Sequence, residues 1–329
     1  MSAFINIRNR LWGNAQYKFS IIFCSLYTVI FFGNNVKPII LFYIFISILL
    51  SVGIAGIGYS FNDYQDYNDD LKNNKPNIFL YFNKVQSTFL ILLFLTLAIT
   101  PWFILPFDKL SLSLLLTEII LFIIYTCPPF RLKERGVAGI FADALYAQVV
   151  PCILAVYTYS KIVSGTNLKT YHFIPFGIWL ISSGCRNIIN HQIDDFHNDS
   201  NSNTNTLITT IGIDKSKKWV STLLIPIELI SFIVLLYNIP HSYHIFFFTY
   251  LFYFIIYVYV FYVKKENTLY NLFNLKLLNE FYEIHLPVIL LIYFSFHNSF
   301  FTYILVLNLI IFIPIYYSYI NGFFHKYLR

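Results

Sequence analysis

Residues 39–70 read IILFYIFISILLSVGIAGIGYSFNDYQDYNDD. No charge occurs between Lys37 and Asp63, and then four aspartates arrive within eight positions: Asp63, Asp66, Asp69 and Asp70. A helix crossing the hydrocarbon core needs about 20 mostly apolar residues. The stretch therefore reads as one membrane span that ends in an acidic cluster, and it predicts an all-α membrane protein if the rest of the chain agrees.

Composition agrees. Of 329 residues 57% are hydrophobic and 12% charged, and the mean hydropathy is +0.63. Soluble domains carry about 25% charge, so this chain lacks the polar surface to cover a water-facing globule. Disorder is excluded for the same reason. Four cysteines without paired spacing make no disulfide scaffold and read as small buried hydrophobes. A net charge of +6 implies no nucleic-acid partner; the basic residues have another use.

Further uncharged stretches lie between Lys18 and Lys37, Lys84 and Asp108, Lys109 and Arg131 (interrupted by Glu118), Asp143 and Lys161 (extended back through 137–142), and Lys169 and Arg186. The stretch from Lys218 to Lys264 carries only Glu228 and has a turn signal at 238–244, so it reads as two spans. Glu283 to Lys326 would be about 63 Å long as one helix, twice a bilayer core. It reads as two spans broken at His297-Asn298-Ser299. The expectation is a single polytopic helical bundle of nine to ten spans over residues 1–329. No cleavable signal sequence is expected at the start. With the N-terminus inside, inside segments hold 17 of the 22 Lys and Arg, outside segments hold Lys37, Lys109, Lys161 and Lys169, and Arg186 lies within a span. Positive charge marks the cytoplasmic side, which puts every acid-rich loop there, in a plasma (inner) membrane.

The sixth span runs into a second cluster, Asn190-His191-Gln192-Ile193-Asp194-Asp195-Phe196-His197-Asn198-Asp199. Seven of the sixteen acidic residues fall in the two clusters. Asn62, Asp66 and Asp70 are spaced i, i+4, i+8 and share a helix face, as do His191, Asp195 and Asp199; Asp63 joins the first face. Carboxylates stacked on one face repel each other and call for a cation. Oxygen ligands with one His per face suit Mg²⁺, which takes one or two carboxylates and completes its shell with water and phosphate. Two facing clusters could then hold two or three Mg²⁺ ions around a diphosphate.

Asn62-Asp63-x-x-Asp66-x-x-x-Asp70 resembles the first aspartate-rich motif of the UbiA superfamily of intramembrane prenyltransferases, and Asp195-x-x-x-Asp199 resembles its second. Tyr125-Thr-Cys-Pro-Pro-Phe-Arg-Leu-Lys-Glu-Arg-Gly136 is similar to that family's loop between spans four and five. The likeness is collinear over about residues 15–320. Lys75-Pro76-Asn77 stands where the family often has an Arg-Pro-Leu run. The resemblance implies a helical bundle around a central, lipid-accessible cavity, Mg²⁺ as cofactor, an isoprenyl diphosphate donor and a hydrophobic or aromatic acceptor.

On this reading Asp63, Asp66, Asp70, Asp195 and Asp199 are the candidate metal ligands, and Asn62, Asp66, His191 and Asp195 the candidate catalytic groups. Lys75, Arg131, Lys133 and Arg186 are candidates for binding the diphosphate, whose charge grows as the C–O bond breaks. Arg186 lies inside an apolar span, where a charge is costly unless paired or facing a wet cavity, and is expected to bond to the Asp195 cluster or reach the diphosphate. Asp143, in the fifth span, demands a partner too, and reads either as paired with a nearby Arg or Lys or as having a role with substrate. Glu118 and Glu228 read as packing residues. Two rivals stand beside prenyl transfer. One is phosphoribosyl transfer to a polyprenyl phosphate. The other is an ion-binding transporter, which the one-sided placement of the acids at span ends disfavours.

Overall fold

The computed structural model describes residues 16–32, 36–72, 77–163, 165, 169–201, 204–237 and 276–327, with a few positions between 248 and 255. Every described element is helical. The first helix, α1 (Gln16–Phe32), is followed by α2 (Ile40–Gln65), two short helices α3 (Tyr67–Lys72) and α4 (Ile78–Tyr81), then α5 (Lys84–Ile99) and α6 (Lys109–Thr126). The fifth span is α7 (Val137–Ala144) and α8 (Val150–Ile162), joined by a π turn at Leu145–Val149. Next come α9 (Thr170–Asp194), α10 (Phe196–Asn201) and α11 (Leu207–Ile211). The seventh span is α12 (Ile213–Trp219) and α13 (Ile225–Tyr237), and the chain continues as α14 (Lys276–Glu280), α15 (Leu286–His297), α16 (Phe300–Ile311) and α17 (Ile313–Tyr327).

Ile40–Gln65, Lys84–Phe103, Lys109–Thr126, Val137–Ile162 and Ile213–Tyr237 are each long and apolar enough to cross a bilayer. The break at His297 falls where the sequence indicates, with Asn298 accepting from the Phe300 amide at 2.9 Å. The last stretch is not straight: α16 and α17 meet at 66°. Pro314 cannot donate an amide into the preceding turn, and the Phe312 ring, 1% exposed, packs edge-on against Phe23. The eighth expected span lies outside the described residues.

The spans differ in depth. In Lys84–Phe103 and Lys109–Thr126 only 17% of the central window is buried, against 50% for Val137–Ile162. The first two line the periphery, where Phe89, Leu92, Ile99, Phe103, Leu116 and Ile120 are exposed. Such a surface is at home only in lipid. Small residues set the close crossings. A Cβ on Gly53 would lie 2.4 Å from the Ala98 amide nitrogen, so α2 and α5 touch backbone to backbone. A Cβ on Gly184 would lie 2.9 Å from Ala144 Cβ, which fixes α7 against α9.

Helix starts are capped. Asn83 and Gln86 form a reciprocal capping box at α5. Asp108 accepts from the Leu110 and Ser111 amides at α6. Inside the bundle an aromatic group of Trp179, Phe232, Tyr282 and Phe281 joins α9, α13 and the turn before α15.

Candidate active site

Three helices, α2, α6 and α9, end on the same side of the bundle, and the candidate site is built on those ends. Asp66 closes α2, its amide bonded to Asn62 O at 2.9 Å, and the Asp70 amide reaches Asp66 O at 2.8 Å. The helical register thus continues across the break into α3.

The aspartates of this motif divide into two roles. Asp63 is 1% exposed, and its Oδ2 accepts from the Ile78 amide at 2.8 Å. Asp70 is also buried, and its Oδ2 accepts from Asn77 Nδ2 at 2.8 Å. The same Nδ2 donates to Asp63 O at 2.7 Å, while Asn77 Oδ1 caps α4 through the Phe79 amide. Asn77 therefore staples the returning chain to the motif. The sequence alone gives no sign of that role, because it depends on where the loop comes back.

Asp66 faces the basic loop that follows α6. Lys133 Nζ lies 2.5 Å and Arg131 Nη2 3.5 Å from its Oδ1. That loop is held firmly. Arg131 adopts φ 38°, an uncommon conformation for a residue with a side chain. Its amide bonds Cys127 O at 2.7 Å and its Nε lies 2.6 Å from Glu134. Arg135 bonds the Phe130 and Pro129 carbonyls at 2.6 and 3.0 Å, so it braces the loop from outside. Strain of about 1–3 kcal/mol at such a residue persists only where the surroundings fix it.

In the second motif Asp195 closes α9 and Asp199 lies in α10, with the Asp199 amide bonded to Asp195 O at 2.9 Å. His191 Nδ1 is 3.5 Å from Asp195 Oδ2, but the imidazole is 69% exposed. It stands at the rim of the cluster. Tyr125, at the end of α6, has Asp143, Asp66 of the first motif and Asp199 of the second within electrostatic range. Gly136, at φ 53°, brings the basic loop against Leu207 just after the second motif.

Arg186 requires a correction. It is fully buried, its Nε and Nη2 bonded to Glu228 Oε2 and Oε1 at 2.7 and 2.9 Å, and Nη2 also donates to Asn279 Oδ1 at 2.7 Å. Its guanidinium serves a buried ion pair between α9 and α13 instead of the diphosphate site or the Asp195 cluster. Glu228 is thereby more than a packing residue. Asp143 pairs with the Tyr146 hydroxyl, 2.8 Å away, and among the described residues with no Arg or Lys. Lys75 lies outside the described residues.

Among the described residues no three His, Cys, Asp or Glu side chains converge closely enough to hold a metal unaided. The donors at the helix ends are carboxylate oxygens. That set fits a hard cation that draws its remaining ligands from water and phosphate, and it fits a soft metal poorly.

Known structures share this architecture. A UbiA homolog from Archaeoglobus fulgidus bound to GPP and Mg²⁺ is 14% identical, superposes with a TM-score of 0.58, and covers 90% of this chain and 99% of its own. The same homolog bound to DMAPP and Mg²⁺ gives 15%, 0.57, 88% and 96%. Its Cd²⁺-bound form gives 15%, 0.51, 85% and 98%. No curated protein sequence matches significantly. The UbiA prenyltransferase family matches residues 20–279. With most of the chain covered, and the fold and motif placement in accord, the chain belongs to the UbiA prenyltransferase family.

Proposed function

We propose that this multi-pass membrane prenyltransferase moves an isoprenyl group from its diphosphate to a hydrophobic acceptor in a Mg²⁺-dependent reaction at the cytoplasmic ends of α2, α6 and α9. The observation that carries the reading is the placement of Lys133 and Arg131 on Asp66, with Asp199 close by across Tyr125. The two homolog complexes with GPP and DMAPP, each with Mg²⁺, support the class of donor.

Asp66, Asp195 and Asp199, with Asp63 and Asp70 behind them, are the residues that would hold Mg²⁺. The bound ion supplies charge neutralisation to a diphosphate that otherwise leaves poorly. Asp66 keeps Lys133 and Arg131 aimed at the site while it is empty of substrate, and a diphosphate competes for both cations. Arg131 offers a planar fork suited to bidentate phosphate binding, on a loop that Arg135 and Glu134 keep from moving. Preorganised donors of this kind act on charge that develops in the transition state. The isoprenyl tail lies in the apolar interior between the spans. The excess of positive charge at these helix ends supports a cytoplasmic side for them.

Diphosphate release by the purified protein, given geranyl or dimethylallyl diphosphate with Mg²⁺ or EDTA, tests this. Release should require Mg²⁺ and fall by about 10²-fold or more in Asp66→Asn, Asp195→Asn and Lys133→Met. Release that survives EDTA and all three substitutions would overturn the proposal.

A further inference from the structure

Asp143 stands within Val137–Ile162, where a carboxylate is costly unless it has a partner or faces a polar cavity. Among the described residues it forms no ion pair. Its Oδ1 accepts from the Tyr146 hydroxyl at 2.8 Å, the side chain is half-buried, and Oδ2 has no side-chain partner among those residues. The surroundings are polar and come from four spans. The Tyr125 ring from α6 lies 5.1 Å from that of Tyr146, tilted by 49°, and Phe122 lies 5.3 Å from the same ring. Cys185 from α9 is electrostatically close to Asp143, and Tyr59 from α2, one turn before Asp63, is close to Tyr146. The tight contact of Ala144 with Gly184 prevents α7 from turning Asp143 away.

Tyr125 ties this group to the diphosphate end, since it senses Asp143 on one hand and Asp66 and Asp199 on the other. A carboxylate with one oxygen fixed and one open, two rings away from the last turn of α6 that leads into the basic loop, is equipped to receive a hydrogen-bond donor. We propose that Asp143 binds the nucleophilic hydroxyl of the acceptor and takes its proton during transfer, so that the acceptor is a hydrophobic alcohol or phenol alkylated on oxygen. This rests on the prenyl-transfer reading above. The donor C1–O bond breaks with its electron pair leaving on diphosphate. The acceptor oxygen forms the new C–O bond, and its proton passes to the Asp143 carboxylate and then to water. Tyr146 is a positioning residue, holding Oδ1 so that Oδ2 faces the acceptor. Tyr59 and Tyr125 complete the polar lining.

The test uses the full chain in detergent with geranyl diphosphate, Mg²⁺ and three probes: 1-decanol, 4-octylphenol and 4-octylanisole, the last lacking a hydroxyl. Products are identified by mass spectrometry, and donor capture is followed separately with the thiolodiphosphate analogue of the donor. Geranyl ethers should form from the first two probes and none from the third. Asp143→Asn should lower ether formation by about 10²-fold or more, the usual worth of a general base, with analogue affinity within about twofold. Tyr146→Phe should lose about tenfold, mainly in KM for the alcohol, by freeing the carboxylate; it carries the test if Asp143→Asn does not fold. Asp143→Glu should restore part of the rate. Ring-carbon alkylation of 4-octylphenol that persists in Asp143→Asn would overturn the proposal, as would absence of ethers despite analogue binding. Loss of analogue binding in Asp143→Asn would do the same, by moving Asp143 to the donor site. A wild-type protein that binds no analogue would overturn the prenyl-transfer reading itself, and this one with it.

Discussion

Arg186 has no exposed surface, and two of its nitrogens contact the two oxygens of Glu228, itself fully buried. Removing one member leaves an uncompensated buried charge, which costs about 3–5 kcal/mol, whereas replacing both by apolar residues of similar size is often neutral. Arg186→Met and Glu228→Met should each lower the thermal midpoint strongly, and the double variant should recover most of the loss. A double variant as unstable as the sum of the singles would argue against this pairing. The sequence announced the need for a partner here, since a guanidinium in an apolar span cannot stand alone. It could not name Glu228, which is 42 residues away and meets Arg186 only once α9 and α13 pack. Asp66, Asp195 and Asp199 were legible because their register depends on one helix each. Asn77 was not, because its two bonds to Asp63 and Asp70 depend on a chain reversal.

At the scale of elements, the opposite end of α6 offers a second junction. Asp108 caps α6 and also takes the Tyr157 hydroxyl at 2.7 Å and the Lys161 ammonium, both from α8. The Lys161 hydrogen bond, with help from the Ser111 amide and the Tyr157 hydroxyl, holds the Asp108 carboxyl well below the usual carboxylate range. A carboxylate whose folded pKa is depressed adds stability above its unfolded pKa, near 3.9, and that stability is lost as pH falls toward the folded value. The thermal midpoint of the wild type should therefore drop as pH is lowered below about 4. Asp108→Asn should flatten that acid limb while leaving a neutral side-chain cap in place. The exposure of the group keeps the effect modest, and salt should weaken it. An acid limb of equal slope in the variant would show that other carboxylates control it. The cap was visible in principle from Asp108 standing just before an apolar run. Its link to α8 was not, for that needs the packing of two helices.

At the scale of the whole molecule, the described contacts fall at two opposite ends of the bundle. The end of α2 meets the loop after α6 through Asp66 and Lys133, and Asp199 in α10 lies within electrostatic range of Tyr125 at the end of α6. The start of α6 meets the end of α8 through Asp108, Tyr157 and Lys161 on the other side. When sides are assigned by alternating spans, the acids of both motifs share a side with the richer positive charge. The proposed cytoplasmic side rests on charge alone, and labelling measures it directly. Cys24, Cys152 and Cys185 are buried and Cys127 is half-buried, so a Cys127→Ser background leaves little native reactivity. In that background Lys72→Cys and Lys217→Cys should resist a membrane-impermeant maleimide applied to intact cells and react once the membrane is opened. Lys37→Cys and Lys109→Cys, exposed on the other side, should react from outside. The reverse pattern would move the diphosphate site to the outer face and require its donor there. A mixed pattern, with Lys72→Cys and Lys217→Cys on different sides, would break the pairing of the two motifs on which the site depends.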